Sequence, residues 1–182
     1  MASSREALTA HLRAHALRID GPFRLRSGAT SDWYLDARQT TMDGAGSLLV
    51  GEAMAEAIGD DVVAVGGMTM GADPVALATA AAASRLGRPL RAFSVRAAAK
   101  DHGTGGRIVG PVSSGDSVAV VEDTTTTGGA LLEAIDVLEA AGMIVAQVVA
   151  LVDRSEGKVA ALMAERGLEY SALLTPTDLG VE

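Results

Sequence analysis

Residues 117–130 read SVAVVEDTTTTGGA, which is an apolar strand, two adjacent acids, four threonines and two glycines that open a helix. The carboxylates of Glu122 and Asp123 can accept hydrogen bonds from the vicinal hydroxyls of a ribose. The threonine hydroxyls can hold a phosphate together with the backbone N–H groups that Gly128 and Gly129 leave accessible at a helix N-terminus. A strand, turn and helix that do both predict a phosphorylated ribose as the ligand.

Simpler or more common interpretations of this segment fit less well. If this segment were an ordinary turn with solvated acids, four consecutive threonines would be unexpected, because β-branched residues are poor turn formers. A dinucleotide fingerprint is absent, since Gly103 and Gly105 are followed by Ile108 where the third glycine should stand. No Gly-x-x-x-x-Gly-Lys-Ser/Thr nucleotide loop occurs either.

Short apolar strands alternate with amphipathic helices along the rest of the chain. Strands are predicted at residues 62–65, 89–96, 118–121, 144–152 and 168–174. Asp73 and Pro74 suit the N-cap and the first position of a helix that ends near Leu86. The alternation predicts an α/β fold with a parallel sheet flanked by helices, in one domain spanning residues 1–182. Ligands of such sheets bind at the carboxyl ends of the strands.

Two further segments have less regular patterns. Residues 23–28 alternate apolar and basic before a turn, and residues 33–35 are predicted to return as a strand, in a hairpin or a short sheet. Residues 97–114 are rich in glycine and have no clear period. A connection of that length in a compact domain is typical of a lid or a binding loop.

The composition narrows the classes of partner. The chain has 182 residues, 48% of them hydrophobic, with no cysteine, a formal net charge of -8 and a pI near 4.8. An acidic surface disfavours nucleic acid and anionic membranes as partners. No apolar run approaches the roughly 20 residues that span a bilayer. We expect a cytoplasmic protein that binds neither nucleic acid nor membrane, with a locally basic pocket or a metal ion for an anionic substrate.

The strand with two acids, then threonines and small residues, resembles the phosphoribosyl diphosphate (PRPP) motif of type I phosphoribosyltransferases. Residues 95–106, VRAAAKDHGTGG, resemble the mobile loop of the orotate phosphoribosyltransferase family. Arg96, Lys100 and His102 give this loop a positive charge in an acidic protein. Fixed cations can stabilise the charge that develops on departing pyrophosphate, and a glycine-rich loop can close over a substrate.

Three more segments resemble the same family. Residues 23–28 and 31–36 resemble the segment beneath the orotate site, with Arg26 where many members have Lys. The resemblance implies that backbone groups near Trp33 and Tyr34 hold the pyrimidine. It also implies that Arg154 binds the orotate carboxylate, which suits a planar guanidinium. Residues 66–73 resemble the pyrophosphate loop, which acts through backbone N–H groups.

The resemblance implies a fold, a reaction and a set of roles. The fold is the type I phosphoribosyltransferase fold, with its core at about residues 45–155 and a small hood from about residues 1–44 and 156–182. The reaction is transfer of phosphoribose from PRPP to orotate, giving orotidine 5'-phosphate and pyrophosphate in pyrimidine biosynthesis. The catalytic residues are Lys100, His102 and Asp123. The residues that bind substrate are Arg26, Trp33, Tyr34, Arg96, Lys100, His102, Glu122, Asp123, Thr124, Thr125, Thr126, Thr127, Gly128, Gly129, Ala130 and Arg154.

The resemblance further implies Mg2+ as cofactor, held by Glu122 and Asp123 directly, through the ribose or through water. It implies a homodimer in which the loop of one subunit reaches the site of the other. Two positions depart from the family: Ala97 and Met70 stand where many members have Lys. Each loss removes a cation aimed at PRPP phosphates, which predicts weaker PRPP binding or a slower step although Arg96, Lys100, His102 and Arg107 remain.

Two other functions stay open on the residues. One is a phosphoribosyltransferase for another base such as a purine, against which the arginines at 26 and 154 argue. The other is a non-catalytic PRPP sensor that regulates other proteins, which the losses at Ala97 and Met70 favour. Retention of Lys100 and His102 argues against the sensor, because binding alone needs no group that stabilises a leaving pyrophosphate.

Overall fold

The computed structural model describes residues 4–24, 28, 30–100 and 106–182. The helices of this part are α1 Ser4–His15, α2 Arg38–Thr41, α3 Gly44–Ala57, α4 Ala72–Arg85, α5 Gly129–Ala140 and α6 Lys158–Glu165. Its strands are β1 Leu17–Arg18, β2 Phe23–Arg24, β3 Thr30–Ser31, β4 Tyr34–Leu35, β5 Ala64–Met68, β6 Arg91–Lys100, β7 Gly106–Val109, β8 Ser117–Thr125, β9 Ile144–Asp153 and β10 Glu169–Leu174.

Six of these strands form one twisted sheet in the order β10-β9-β8-β5-β6-β7. Every pair is parallel except β6 with β7, which is antiparallel. Parallel neighbours need crossover connections, and helices α4, α5 and α6 supply them. The predicted α/β fold, a parallel sheet flanked by helices, is therefore confirmed, with one antiparallel edge strand added.

The sheet separates two cores, and β8 contributes to both. Ala119 and Val121 face a core built with α1, α3 and α4, whereas Val118 and Val120 face a core built with α5 and α6. All four side chains are fully buried. Because successive side chains of a strand point to opposite faces, a strand covered on both sides must be apolar throughout. This explains why residues 118–121 carry no polar alternation.

The N-terminal segment pairs differently from the predicted hairpin. Phe23 pairs with Ser31 in the antiparallel pair β2–β3. Residues 34–35, predicted to return beside residues 23–28, instead form β4 and pair with β1, so that Leu17 lies opposite Leu35. Strands of two residues have too short a hydrophobic pattern to specify their partner, so the tertiary packing of this segment decided it.

Three boundaries also differ from the sequence prediction. Helix α4 begins at Ala72 with Gly71 at its N-cap, so Asp73 lies inside the first turn and accepts a hydrogen bond from the Thr69 hydroxyl. The predicted irregular loop at 97–114 is partly strand, because β6 continues to Lys100 and β7 begins at Gly106. The main sheet extends past residue 155, since β10 pairs with β9.

No helix within the described ranges is long and apolar enough to cross a membrane.

Candidate active site

The paired acids lie at the carboxyl end of the central strand β8. Their side chains are both 7% exposed. The strand does not end at Val121, because Glu122 pairs with Ala150 and Thr124 with Val152 of β9. Hydrogen bonds of the sheet therefore fix the main chain that carries the acids. A rigid strand presents both carboxyl groups to the edge where ligands of parallel sheets bind.

The two carboxyl groups differ in their environment. Asp123 accepts a hydrogen bond from the backbone N–H of Thr124 at 2.7 Å. Glu122 has a buried Oε2 that finds no hydrogen-bond partner among the described residues. Burial, reinforced by the charge of Asp123, raises the pKa of Glu122 to about 8. A cation or a ribose hydroxyl would satisfy this oxygen and favour its ionised form.

Gly71 approaches the acid pair so closely that a side chain at this position would displace the carboxyl groups. A Cβ at Gly71 would lie 2.7 Å from Asp123 Oδ1 and 2.8 Å from Glu122 Oε1. The turn between β5 and α4 therefore brings main chain rather than side chain against the carboxylates. A hard cation such as Mg2+ prefers oxygen ligands and keeps several waters, so a carboxylate pair with one unsatisfied oxygen fits it.

A cavity of about 310 Å3 lies over this edge of the sheet. Its lining comes from the β4–α2 region, the β5–α4 turn and the end of β8, namely Tyr34, Leu35, Asp36, Ala37, Arg38, Met70, Gly71, Glu122, Asp123 and Thr124. A more open depression of about 580 Å3 shares Asp36, Arg38 and Met70 with it. The acids thus line a volume large enough for a sugar phosphate.

The threonine and glycine turn connects β8 to α5. Gly128 adopts a left-handed conformation, with φ of 75°, and its N-cap position has no side-chain cap. Thr126, Thr127, Gly129 and Ala130 are exposed, so their main chain and hydroxyls are open to a ligand. Thr125 is an exception because it is 4% exposed. Helix N-termini with uncapped N–H groups favour anions.

Arg154 follows β9 at the same edge of the sheet. Its backbone N–H donates to the carbonyl of Thr125 at 2.8 Å, which ties it to the last residue of β8. Its guanidinium carbon lies 4.3 Å from the centre of the Trp33 ring. Burial lowers the pKa of Arg154. The structure thus brings Trp33 and Arg154 together.

The predicted cations of the loop are only partly described. Arg96 lies one residue beyond the Met68–Val95 pair of β5 and β6, at the edge where the acids lie. The main chain of Lys100 pairs with Gly106. His102 and Arg26 fall outside the described residues. Arg107 forms an ion pair with Glu133 and donates from Nε to the Arg96 carbonyl at 2.6 Å. That pairing orients Arg107 toward α5.

Arg38 was missed by the sequence reasoning, although it lines both cavities. Its Nε donates to Asp36 Oδ1 at 2.7 Å, and this contact raises the pKa of Arg38 and lowers that of Asp36. It lines the same cavity as Met70. In the sequence, the signal that could have identified Arg38 is its place two residues after Asp36, directly beyond Tyr34 and Leu35.

A parallel α/β sheet with an acid pair, a threonine and glycine turn and a helix N-terminus at its carboxyl edge defines the class of type I phosphoribosyltransferases. Similarity to known proteins then identifies the family. The orotate phosphoribosyltransferase of Streptomyces avermitilis is 42% identical over 179 residues, which cover 98% of both chains. No family model matches the chain.

Solved structures agree with this relative. The crystal structure of Mycobacterium tuberculosis H37Rv orotate phosphoribosyltransferase with Fe(III) dicitrate superposes with a TM-score of 0.87 at 40% identity, covering 98% of this chain and 100% of that one. The structure of the same protein in complex with PRPP gives a TM-score of 0.83 at 37% identity, with the same coverage. The chain belongs to the orotate phosphoribosyltransferase family.

Proposed function

We propose that the chain transfers phosphoribose from PRPP to orotate at the carboxyl edge of its sheet, releasing pyrophosphate. The observation that carries the proposal is the meeting of two features at the ends of neighbouring strands. The buried acid pair lies near the carboxyl end of β8, and Arg154 follows β9 and is joined to β8 through the Thr125 carbonyl. One feature suits the ribose and the other an acidic base.

PRPP would bind along the end of β8 and the turn that follows. Glu122 and Asp123 would accept hydrogen bonds from the ribose hydroxyls. The exposed residues of the turn, Thr126, Thr127, Gly129 and Ala130, would hold the 5'-phosphate at the N-terminus of α5, which has no side-chain cap. Thr124 lines the same cavity as the acids. Thr125 would contribute to PRPP binding through its main chain.

Pyrophosphate would leave from the side of the β5–α4 turn. Main-chain groups near Gly71 lie beside the acids, and Arg96 lies at the adjoining strand end. Lys100 and His102 would supply the remaining positive charge from the loop. Displacement at C1' breaks the bond to pyrophosphate as the base nitrogen forms its own, so fixed cations stabilise the departing charge.

Mg2+ would be held by Glu122 and Asp123, directly, through water or through the ribose hydroxyls. Bound there it would neutralise negative charge on pyrophosphate. The buried, unsatisfied Glu122 Oε2 supports this proposal. In the described part of the chain no cluster of three or more metal-binding side chains occurs, which suits an ion shared with the substrate.

The orotate carboxylate would bind Arg154, while main-chain groups near Trp33 and Tyr34 hold the pyrimidine and Arg26 lies in the same N-terminal segment. We propose that residues 1–44 and the tail beyond β10 form the hood over this base. A contact between Trp33 and the main chain of Glu182 supports that arrangement.

The chain would act in the cytoplasm as a homodimer. Exposed apolar side chains after α2, in the β5–α4 turn and on α3 and α4 support a partner on that side, namely Met42, Met70, Leu48 and Leu77. Met42 and Met70 line the open depression next to the substrate cavity. A second subunit on this face would therefore lie beside the site.

The first test is the loss of orotate absorbance when PRPP and Mg2+ are added to the protein. We expect turnover by the native chain, and a fall in kcat of roughly 10²-fold or more for Asp123→Asn, because the isosteric amide loses the charge that faces the ribose. Asp60→Asn is the matched control, since that carboxylate is 98% exposed.

Two outcomes would contradict the proposal and favour another function. PRPP binding measured by calorimetry without turnover of orotate would favour a PRPP sensor. Turnover of hypoxanthine but not orotate would favour a transferase for a purine base.

A further inference from the structure

The Arg154 guanidinium packs on an aromatic face and not on a carboxylate. Its central carbon lies 4.3 Å from the centre of the Trp33 ring. Its Nε is buried and has no hydrogen-bond acceptor among the described residues. No ion pair of Arg154 occurs within the same ranges. The positive charge is therefore held in place without being neutralised.

Trp33, whose indole holds this charge, is itself fixed through its side chain and its main chain. Its Nε1 donates to the main-chain oxygen of Glu182 at 2.7 Å. The main-chain oxygen of Trp33 accepts from the Ser31 hydroxyl at 2.8 Å. The tail is anchored in turn, because Leu179 is 1% exposed and Val181 N donates to the Pro176 carbonyl at 3.1 Å.

Stacking and carboxylate binding use different parts of a guanidinium. The flat face meets the ring, while the N–H groups point outward in the plane of the group. A carboxylate binds edge-on through two parallel N–H···O bonds. An aspartate partner would occupy those N–H groups and compete with the substrate. An indole orients the guanidinium and leaves its edge available.

We propose that Trp33 is a positioning residue for the acceptor: its indole, held by the tail at Glu182, sets the Arg154 guanidinium in the orientation that receives a carboxylate on the base. This inference rests on the proposed function, because it assigns Arg154 to the acceptor. It goes further in giving the Trp33 side chain a role in selecting the base, separate from the main-chain groups near it.

Steady-state kinetics of a Trp33 series tests the proposal. Trp33→Leu removes the aromatic face, and we expect the KM for orotate to rise about 5- to 30-fold, with kcat and the KM for PRPP within about twofold of the native values. Trp33→Phe retains a smaller aromatic face but loses the N–H donor to the tail. Its KM for orotate should therefore lie between the values of the native chain and of Trp33→Leu. Phe93→Leu, a buried aromatic in the core on the other side of the sheet, controls for lost stability.

A double-mutant cycle separates positioning from a general structural role. In an Arg154→Ala background, Trp33→Leu should cause no further rise in the KM for orotate, because the group it positions is gone. Effects that multiply independently in the double variant would overturn the proposal. So would an unchanged KM for orotate in a folded Trp33→Leu protein.

The sequence offers a direct probe, since Trp33 is its one tryptophan. Protein labelled with 5-fluorotryptophan should give a single 19F resonance that shifts when orotate is added to the native chain. The shift should be lost in Arg154→Ala. An orotate-induced shift of equal size in that variant would contradict the coupling.

Failure of the proposed function gives a different result. If the native chain binds no orotate and turns none over, the function fails before any variant is compared. If the native chain is active and the Trp33 series shows no selective effect on orotate, the function stands and this inference fails alone.

Discussion

At the scale of single residues, burial of Glu122 links the protonation of the site to the stability of the fold. Its pKa is raised from 4.5 to about 8, first by burial and then by the charge of Asp123, with a smaller contribution from Asp73. The folded protein therefore binds this proton more tightly than the unfolded chain does between those two pH values. The stability that protonation contributes is complete below about pH 4.5 and is lost as the pH rises through about 8.

We predict that the ligand-free protein loses stability from pH 5 to pH 8 and that Glu122→Gln loses less. In this pH range unfolding of the native chain releases one proton from Glu122, so its free energy of unfolding falls by up to roughly 1.4 kcal/mol per pH unit from this group. Glu122→Gln has no such proton to release and loses this part of the slope. Urea unfolding at pH 5, 6.5 and 8 measures it. Glu165→Gln, an exposed carboxylate on α6, is the control, and equal slopes in Glu122→Gln and the native chain would contradict the prediction.

Other residue-scale contacts could not be predicted from sequence. Arg107 was expected to remain a cation for PRPP, but β7 directs it to Glu133 on α5. The close approach of Gly71 to the acids could not be recognised, because the residues it faces are about 50 positions away in the chain. Both depend on which strands become neighbours.

At the scale of elements, the turn between β8 and α5 is set by one glycine. Gly128 has φ of 75°, and a Cβ there would lie 3.1 Å from Leu162 Cδ2 and 3.2 Å from Val159 Cγ2 of α6. A side chain would therefore meet both backbone strain and a packed helix. The turn cannot relax without moving the N-terminus of α5.

We predict that Gly128→Ala destabilises the protein by about 1–2 kcal/mol, the cost of a left-handed conformation for an L-residue. It should also raise the KM for PRPP, because the main chain proposed to hold the phosphate would shift. Thermal unfolding and steady-state kinetics measure the two effects.

Gly129→Ala is the matched control for this turn. Its Cβ would meet nothing nearer than Thr127 Oγ1 at 3.8 Å, and its φ is not in the left-handed region. Alanine should be neutral or slightly stabilising there, since it is the better helix former. Equal losses of stability in the two variants would contradict the assignment of the turn to Gly128.

At the scale of the whole molecule, an apolar side of the chain lies next to the site. Leu77 on α4 is 64% exposed and Leu48 on α3 is 56% exposed. The two helices pack closely, because Gly51 of α3 meets the main chain of Ala78. Exposed apolar side chains on adjoining helices mark an interaction surface more often than scattered single residues do.

We predict that subunits share active sites across this surface. Mixing inactive Lys100→Ala subunits with inactive Asp123→Asn subunits should restore part of the activity, because a mixed dimer contains one site with both residues intact. Light scattering on a sizing column measures the assembly, and the orotate assay measures the recovery. No recovery in verified mixed dimers would contradict a shared site.

Leu77→Lys introduced into both inactive subunits should abolish that recovery and give a monomer. Ile144→Lys is the control, because Ile144 is also exposed but lies at the opposite, amino end of the sheet. If Leu77→Lys leaves the dimer intact, the interface lies on another surface of the molecule.

The sequence by itself determined the elements whose signal is local. The apolar strand, the acid pair and the glycine turn of residues 117–130 are neighbours in the chain, so their pattern predicted a ribose phosphate site and resembled the motif of type I phosphoribosyltransferases. The alternation of strands and helices along the chain predicted the parallel sheet. Tertiary structure alone decided what meets this segment: Gly71 against the acids, Arg38 in their cavity, β1 beside β4, and Trp33 on Arg154. These partners are far apart in sequence, and their contacts depend on sheet order and helix packing, which no local period encodes.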